Sequence, residues 1–277
     1  GSDGLGIRFD NYPLAYMIGS LALAIILFDS GFGTSVHSFK LAAMPALALA
    51  SVGVVLTAVI FAFAASLLLG FTWLEGLLLG SIVASTDAAA VFFLLRIGGI
   101  HIRDQVRSTL EVESGTNDPM AIFLTIALVE VVGRGKGLAG FDTGFLLMFL
   151  EEMGLGLIFG VLGGLMIVKV VNRFTMDRGL APILVLALAL LVFSFTGALN
   201  GSGFLAVYVA GIVSGNRKIF AKGAIRRFHE GMTWLAQIIM FLMLGLLATP
   251  SQFPAIIIPA ILLALFLIFV ARPLAVW

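Results

Sequence analysis

Nine apolar runs, most of them long enough to cross a lipid bilayer, leave this chain little it can do in water. They fall at about 13–33, 44–70, 73–96, 107–132, 145–170, 180–199, 203–216, 231–249 and 254–277, separated by charged or glycine-rich breaks. A membrane-crossing helix takes roughly 20 apolar residues, so 277 residues hold about nine or ten spans and almost nothing else. Composition points the same way. Hydrophobic residues make up 61% of the chain and charged residues only 11%, where soluble domains carry about 25% charge. That is too little polar surface to cover a soluble globule, and far too apolar for a disordered chain. The alternation expected of outer-membrane barrel strands is missing as well. The predicted fold is an all-α polytopic membrane protein.

Several function classes drop out early. A net charge of +1 offers nothing to nucleic acid, and the absence of cysteine excludes disulfides and thiolate metal sites. No phosphate-binding glycine-rich lysine motif is present, so nucleotide-driven transport has no support. No pair of histidines has zinc spacing, and His37, His101 and His229 all read as loop residues on the cytoplasmic side. No secretory signal precedes the first run. The chain starts Gly1-Ser2-Asp3 and stops at Trp277 inside an apolar run, so both ends read as cut.

Lysine and arginine give an orientation. Lys40, Arg96, Arg103, Arg107, Lys169, Arg173, Arg178, Arg217, Lys218, Lys222, Arg226 and Arg227 lie in every second connection. The alternate connections and the N-terminal stretch hold only Arg8, Arg134 and Lys136. Residue 1 is therefore predicted outside.

Acids inside the apolar runs carry the functional information, because each costs roughly 2.5–3.5 kcal/mol to insert and so needs a partner, water or a task. Asp87 and Asp118 sit near the midpoints of consecutive runs. Asp87 follows Ser85-Thr86 and precedes three alanines, a setting in which helices approach closely and hydroxyls satisfy freed backbone groups. Asp118 lies in Glu113-Ser114-Gly115-Thr116-Asn117-Asp118-Pro119. Pro119 lacks an N–H and crowds the carbonyl four residues back, so a kink or opening is predicted at 115–119. Ser114 and Asp118 share a helix face. Carboxylate, hydroxyl and freed carbonyl oxygens suit a hard cation. The plainer reading of Asp87 is a protonated packing residue. Glu113 lies about 140° round the helix from Asp118 and reads as a candidate ion-pair partner; Glu111 and Asp29 read as interfacial. Arg272, well inside the last run, either snorkels or requires an acidic partner.

Ser85-Thr86-Asp87 together with Glu113 to Pro119 resembles the monovalent cation:proton antiporter-1 family of the sodium/proton exchanger superfamily. The likeness is nearest to its bacterial potassium/proton antiporters. Leu27-Phe28-Asp29-Ser30-Gly31-Phe32 and Ala271-Arg272-Pro273-Leu274 are similar to other stretches of the family. The resemblance implies a sodium/proton antiporter fold of inverted repeats with two discontinuous crossing helices, and a core domain beside a dimerisation domain. It implies that Asp118 and Asp87 exchange proton and cation, with Ser114 and the Thr86 backbone as further oxygen ligands. Glu113 and Arg272 would form a structural ion pair. Asn117 stands where the electrogenic branch has aspartate, which implies electroneutral exchange; Pro119 supports the motif. No cofactor is implied beyond transported potassium or sodium and protons. The expected partners are membrane lipid and a second copy in a homodimer, with no nucleic acid and no nucleotide. The expected place is the bacterial inner membrane. Residues 1–277 would be a partial transmembrane domain without a soluble domain. The family has about thirteen spans, so the first helix or helices and the last two or so are expected to be missing.

Without the family, the midplane acids still leave two transport readings. In one, a cation and a proton compete for one carboxylate in an alternating-access exchanger; in the other, the same acids line the path of a cation channel or uniporter.

Overall fold

The computed structural model describes residues 9, 11–36, 44–86, 91, 95, 98–100, 102–133, 135, 143–174 and 177–277. Asp87 falls outside them, as do Arg8, His37, Lys40, Arg96, His101, Arg134 and Lys136. Among the described residues the regular structure is entirely helical: α1 (Tyr12–Gly33), α2 (Met44–Leu69), α3 (Trp73–Val83), α4 (Asp104–Gly133), α5 (Thr143–Arg173), α6 (Leu180–Ala198), α7 (Gly203–Gly215), α8 (Lys222–Leu247) and α9 (Pro250–Val276). Seven of these are long and apolar enough to cross a membrane; α3 and α7 are shorter.

The helix ends follow from local chemistry. Asn11 Oδ1 accepts from the Leu14 N–H at 3.0 Å, and a proline sits in the first turn of α1. α2 stops at Gly70, which takes φ +68° and so turns the chain where a side chain would be strained. Thr72 and Glu75 form a reciprocal capping box at the start of α3. Ser202 Oγ accepts from the Leu205 N–H at 3.3 Å at the start of α7.

The structure adds to the sequence reading at two places. α4 remains helical through Pro119, and it is the neighbouring run that stops being helical, where α3 ends at Val83 and Ala84, Ser85 and Thr86 are not helical. Gly115 and Pro119 remove one ladder bond without ending a 30-residue helix. Second, α8 begins at Lys222, nine residues before the predicted 231, and His229 lies within it, fully buried rather than in a loop. The charged residues of its first turns disguise the helix as a connection, while Arg226 and Glu230 pair across one turn at 3.1 Å.

The chain divides into two compact units, Gly1–Val36 with Leu147–Pro254, and His37–Leu146 with Ala255–Trp277. In the first, α1 and α7 meet through glycine. A Cβ on Gly31 would strike the Tyr208 carbonyl, and Cβ atoms on Gly211 and Gly215 would strike the carbonyls of Phe28 and Phe32. Gly156, Gly160 and Gly164 of α5, four residues apart, face α7 in the same way, with an added Cβ 2.9 Å from Ser202 O, 2.7 Å from Val209 Cβ and 2.7 Å from Val213 Cβ. The His229 ring lies 5.2 Å from the Phe28 ring and 6.4 Å from that of Phe32, with Nδ1 2.9 Å from the Ile225 carbonyl. One turn on, Thr233 donates to Asp29 Oδ2 at 2.9 Å, tying α8 to α1.

The second unit contains α2, α3, α4 and most of α9. Small residues four apart again set the approach: a Cβ on Gly76 would lie 2.8 Å from Ala62 O, and one on Gly80 2.5 Å from Ala58 O. Val54, Ala84 and Ala121 are buried together beneath this crossing, holding the end of α3 against α4. Gly80→Leu is therefore expected to cost about 2–3 kcal/mol by overpacking, read as a fall in melting temperature in detergent. Gly19→Ala, where nothing lies within 4 Å of the new methyl, should leave it nearly unchanged.

Candidate functional site

The end of α3 exposes backbone that a continuous helix would have used internally. The Thr86 carbonyl accepts from Ser114 Oγ at 3.2 Å and from Asn117 Nδ2 at 3.2 Å, both on α4. Asn117 is fully buried. Its amide nitrogen also lies 2.9 Å from Thr86 Oγ1 and 3.1 Å from Glu113 Oε1. Two N–H groups serve three acceptors, so one bond is shared. Thr86 Oγ1 in turn donates to Glu113 Oε1 at 3.3 Å. Asn117 is thus the hub that fixes the interrupted end of α3 to α4.

Glu113 is buried, and Arg272 Nη1 of α9 stands 3.8 Å from its Oε1. Arg272 Nε and Nη2 are buried with no hydrogen-bond partner among the described residues. Burying a guanidinium is costly without a carboxylate beside it, and Glu113 supplies one. Glu113 shares its helix face with Asn117, one turn on, rather than with Asp118.

Asp118 is half-buried in α4, and Ser85 Oγ donates to its Oδ1. The same hydroxyl lies 3.4 Å from Asn117 Oδ1. Deeper along this pair of helices, Ser81 and Thr125 hydroxyls meet at 3.0 Å. Pro119 follows Asp118 and is buried.

Of the residues singled out from sequence, the structure brings Thr86, Glu113, Ser114, Asn117, Asp118 and Arg272 into one connected cluster within the second unit. It assembles four kinds of oxygen at one place: a carboxylate, two serine hydroxyls, a threonine hydroxyl and a backbone carbonyl. Such a set suits a hard cation, since none of these atoms is soft and the carboxylate offsets the charge. Asp87 lies outside the described residues. Sequence reasoning missed Ser85 as a contact of Asp118. Its signal was its position: a hydroxyl two residues before a midplane acid, on a run that stops being helical there.

The whole chain, residues 1–277, matches the family model described as sodium/hydrogen exchanger, transmembrane. It is 46% identical over 278 residues to the K(+)/H(+) antiporter NhaP2 of Shewanella baltica, covering 100% of this chain and 48% of that protein. It is equally 46% identical over 277 residues to the K(+)/H(+) antiporter NhaP of Alkalimonas amylolytica, with the same coverage of 100% and 48%. The chain thus spans about half the length of these relatives. Its fold is similar to that of the sodium proton antiporter MjNhaP1 of Methanocaldococcus jannaschii, with a TM-score of 0.80 and 25% identity over 95% of this chain and 66% of that one. A match along its full length, carried by an all-helical membrane fold, means that the chain belongs to the sodium/hydrogen exchanger family of transmembrane proteins.

Proposed function

We propose that this chain is the greater part of the membrane domain of a secondary antiporter that exchanges a monovalent cation for a proton, with potassium favoured over sodium. The observation that carries the reading is the convergence of Asp118, Ser114 and the Thr86 carbonyl at the interrupted end of α3. A proton and a cation both neutralise the same carboxylate, so binding of one displaces the other. If the loaded carboxylate alone crosses between the two sides, uptake of one is tied to release of the other. Asp87 is assigned to the same exchange step. Asn117 carries no titratable proton and Glu113 is engaged with Arg272, which supports one-for-one electroneutral exchange. Glu113 and Arg272 brace the cluster; Pro119 opens one bond of α4 beside Asp118.

The preference for potassium rests on the relatives named K(+)/H(+) antiporters. Bacterial relatives and the lysine and arginine distribution favour a bacterial inner membrane with residue 1 outside. Assembly as a homodimer in lipid follows from the family resemblance. No cofactor takes part beyond the transported ions.

The test uses the full-length protein in pH-loaded proteoliposomes, with each alkali cation added in turn. Proton movement driven by potassium, less by sodium, is the expected result. No response to any alkali cation would overturn the reading.

A further inference from the structure

Hydroxyl groups buried in apolar helices commonly spend their proton on their own helix. Thr57, Thr116, Thr125, Thr196 and Ser214 do so here, each donating to the carbonyl four residues back at 2.7 Å. Ser85 does not. It lies just beyond the end of α3, and its hydroxyl reaches across to Asp118 on α4. Its two neighbours there are both acceptors. The Asn117 amide is turned with Nδ2 toward Thr86 and Glu113, which leaves Oδ1 facing Ser85 at 3.4 Å. A hydroxyl between a carboxylate and an amide oxygen gives its single proton to the carboxylate, because the charge-assisted bond is the stronger.

We propose that Ser85 is a positioning residue for cation binding: its hydroxyl holds Asp118 Oδ1 and so fixes the rotation of the carboxylate toward the Thr86 carbonyl and Ser114 Oγ. This rests on the exchange reading above and assigns the site a further member. Without that bond the carboxylate loses one of the contacts that orient it about its terminal torsion, which is intrinsically broad. The ligand set is then less preorganised, and cation affinity falls while the conformational cycle is left intact. The interruption of α3 gains a second role. It frees a carbonyl at Thr86, and it releases the Ser85 hydroxyl from an intrahelical bond.

The experiment uses the full-length protein in proteoliposomes, with initial rates of potassium/proton exchange at fixed pH. Ser85→Ala is expected to raise the apparent KM for potassium about tenfold, in line with a lost hydrogen bond to a charged group. Its kcat should stay within about threefold of wild type. Ser85→Thr, which keeps the hydroxyl, should stay near the wild-type KM. Ser85→Cys, close in shape but a weak donor, should fall between them and serves also if the alanine variant does not fold. A wild-type KM in the folded Ala or Cys variants would overturn the proposal, as would an equal loss in Ser85→Thr. Asp118→Asn in the same assay separates the two readings: normal exchange there overturns exchange at Asp118 itself, whereas a silent Ser85→Ala beside an inactive Asp118→Asn overturns only the role of Ser85.

Discussion

Asp118→Asn is expected to reduce cation-driven proton exchange by at least about a hundredfold, the order that removing a directly reacting group usually costs, with the protein still folded. The substituted amide keeps the shape of the carboxyl and can still accept from Ser85, so packing at the end of α3 should survive. What it loses is the single charge for which proton and cation compete. The measurement is proton flux in proteoliposomes, with melting temperature in detergent as the control for folding. A variant that melts like wild type and does not exchange is the predicted outcome.

The second large effect concerns Glu113 and Arg272. Glu113 Oε1 gathers the Thr86 hydroxyl, the Asn117 amide and, at 3.8 Å, the Arg272 guanidinium. Arg272→Met leaves a buried carboxylate without its cation, and Glu113→Gln leaves a buried guanidinium without its anion. Each is expected to destabilise by about 3–5 kcal/mol, because an unpaired buried charge is penalised more than the pair was worth. The double variant should lose clearly less than the sum, by about 1–3 kcal/mol. Strict additivity in melting measurements would show that the two groups do not act as a pair. The pair thus explains how Arg272 can be largely buried near the end of α9: its charge is answered from α4.

These two predictions rest on features that were unequally legible in the chain. Where a run is closed by glycine, hydropathy alone found the helix end almost to the residue: the run at 203–216 is α7 at Gly203–Gly215, and the run ending at 70 closes with α2 at Leu69. It failed at the start of α8, where Lys222, Arg226, Arg227 and Glu230 make the first turns amphipathic rather than apolar. The same failure put His229 in a loop, although its ring packs among Phe28, Phe32 and Phe228. The interruption at 84–86 was invisible to hydropathy because the residues before it are as apolar as a continuous helix needs.

At the site, the residue types were readable and their partnerships were not. Ser114, Asn117 and Asp118 stood out as polar groups at depth, yet nothing in their spacing says that Asn117 binds the end of α3 while Asp118 takes the Ser85 hydroxyl. Those contacts depend on where the end of α3 meets α4, and α3 is itself placed by Gly76 and Gly80 against Ala62 and Ala58 of α2, residues remote from any charge. Which residues make up each of the two units was equally hidden, since each unit joins residues more than a hundred positions apart.

The account turns most directly on coupling. Full-length protein would be reconstituted with an internal pH dye, potassium added outside, and the membrane potential set at several values while proton flux is followed. One-for-one exchange at Asp118 predicts a potassium-driven proton flux that is the same at every imposed potential and is lost in Asp118→Asn. A flux that follows the potential, as a channel or uniporter would give, or one that persists in Asp118→Asn, would contradict it.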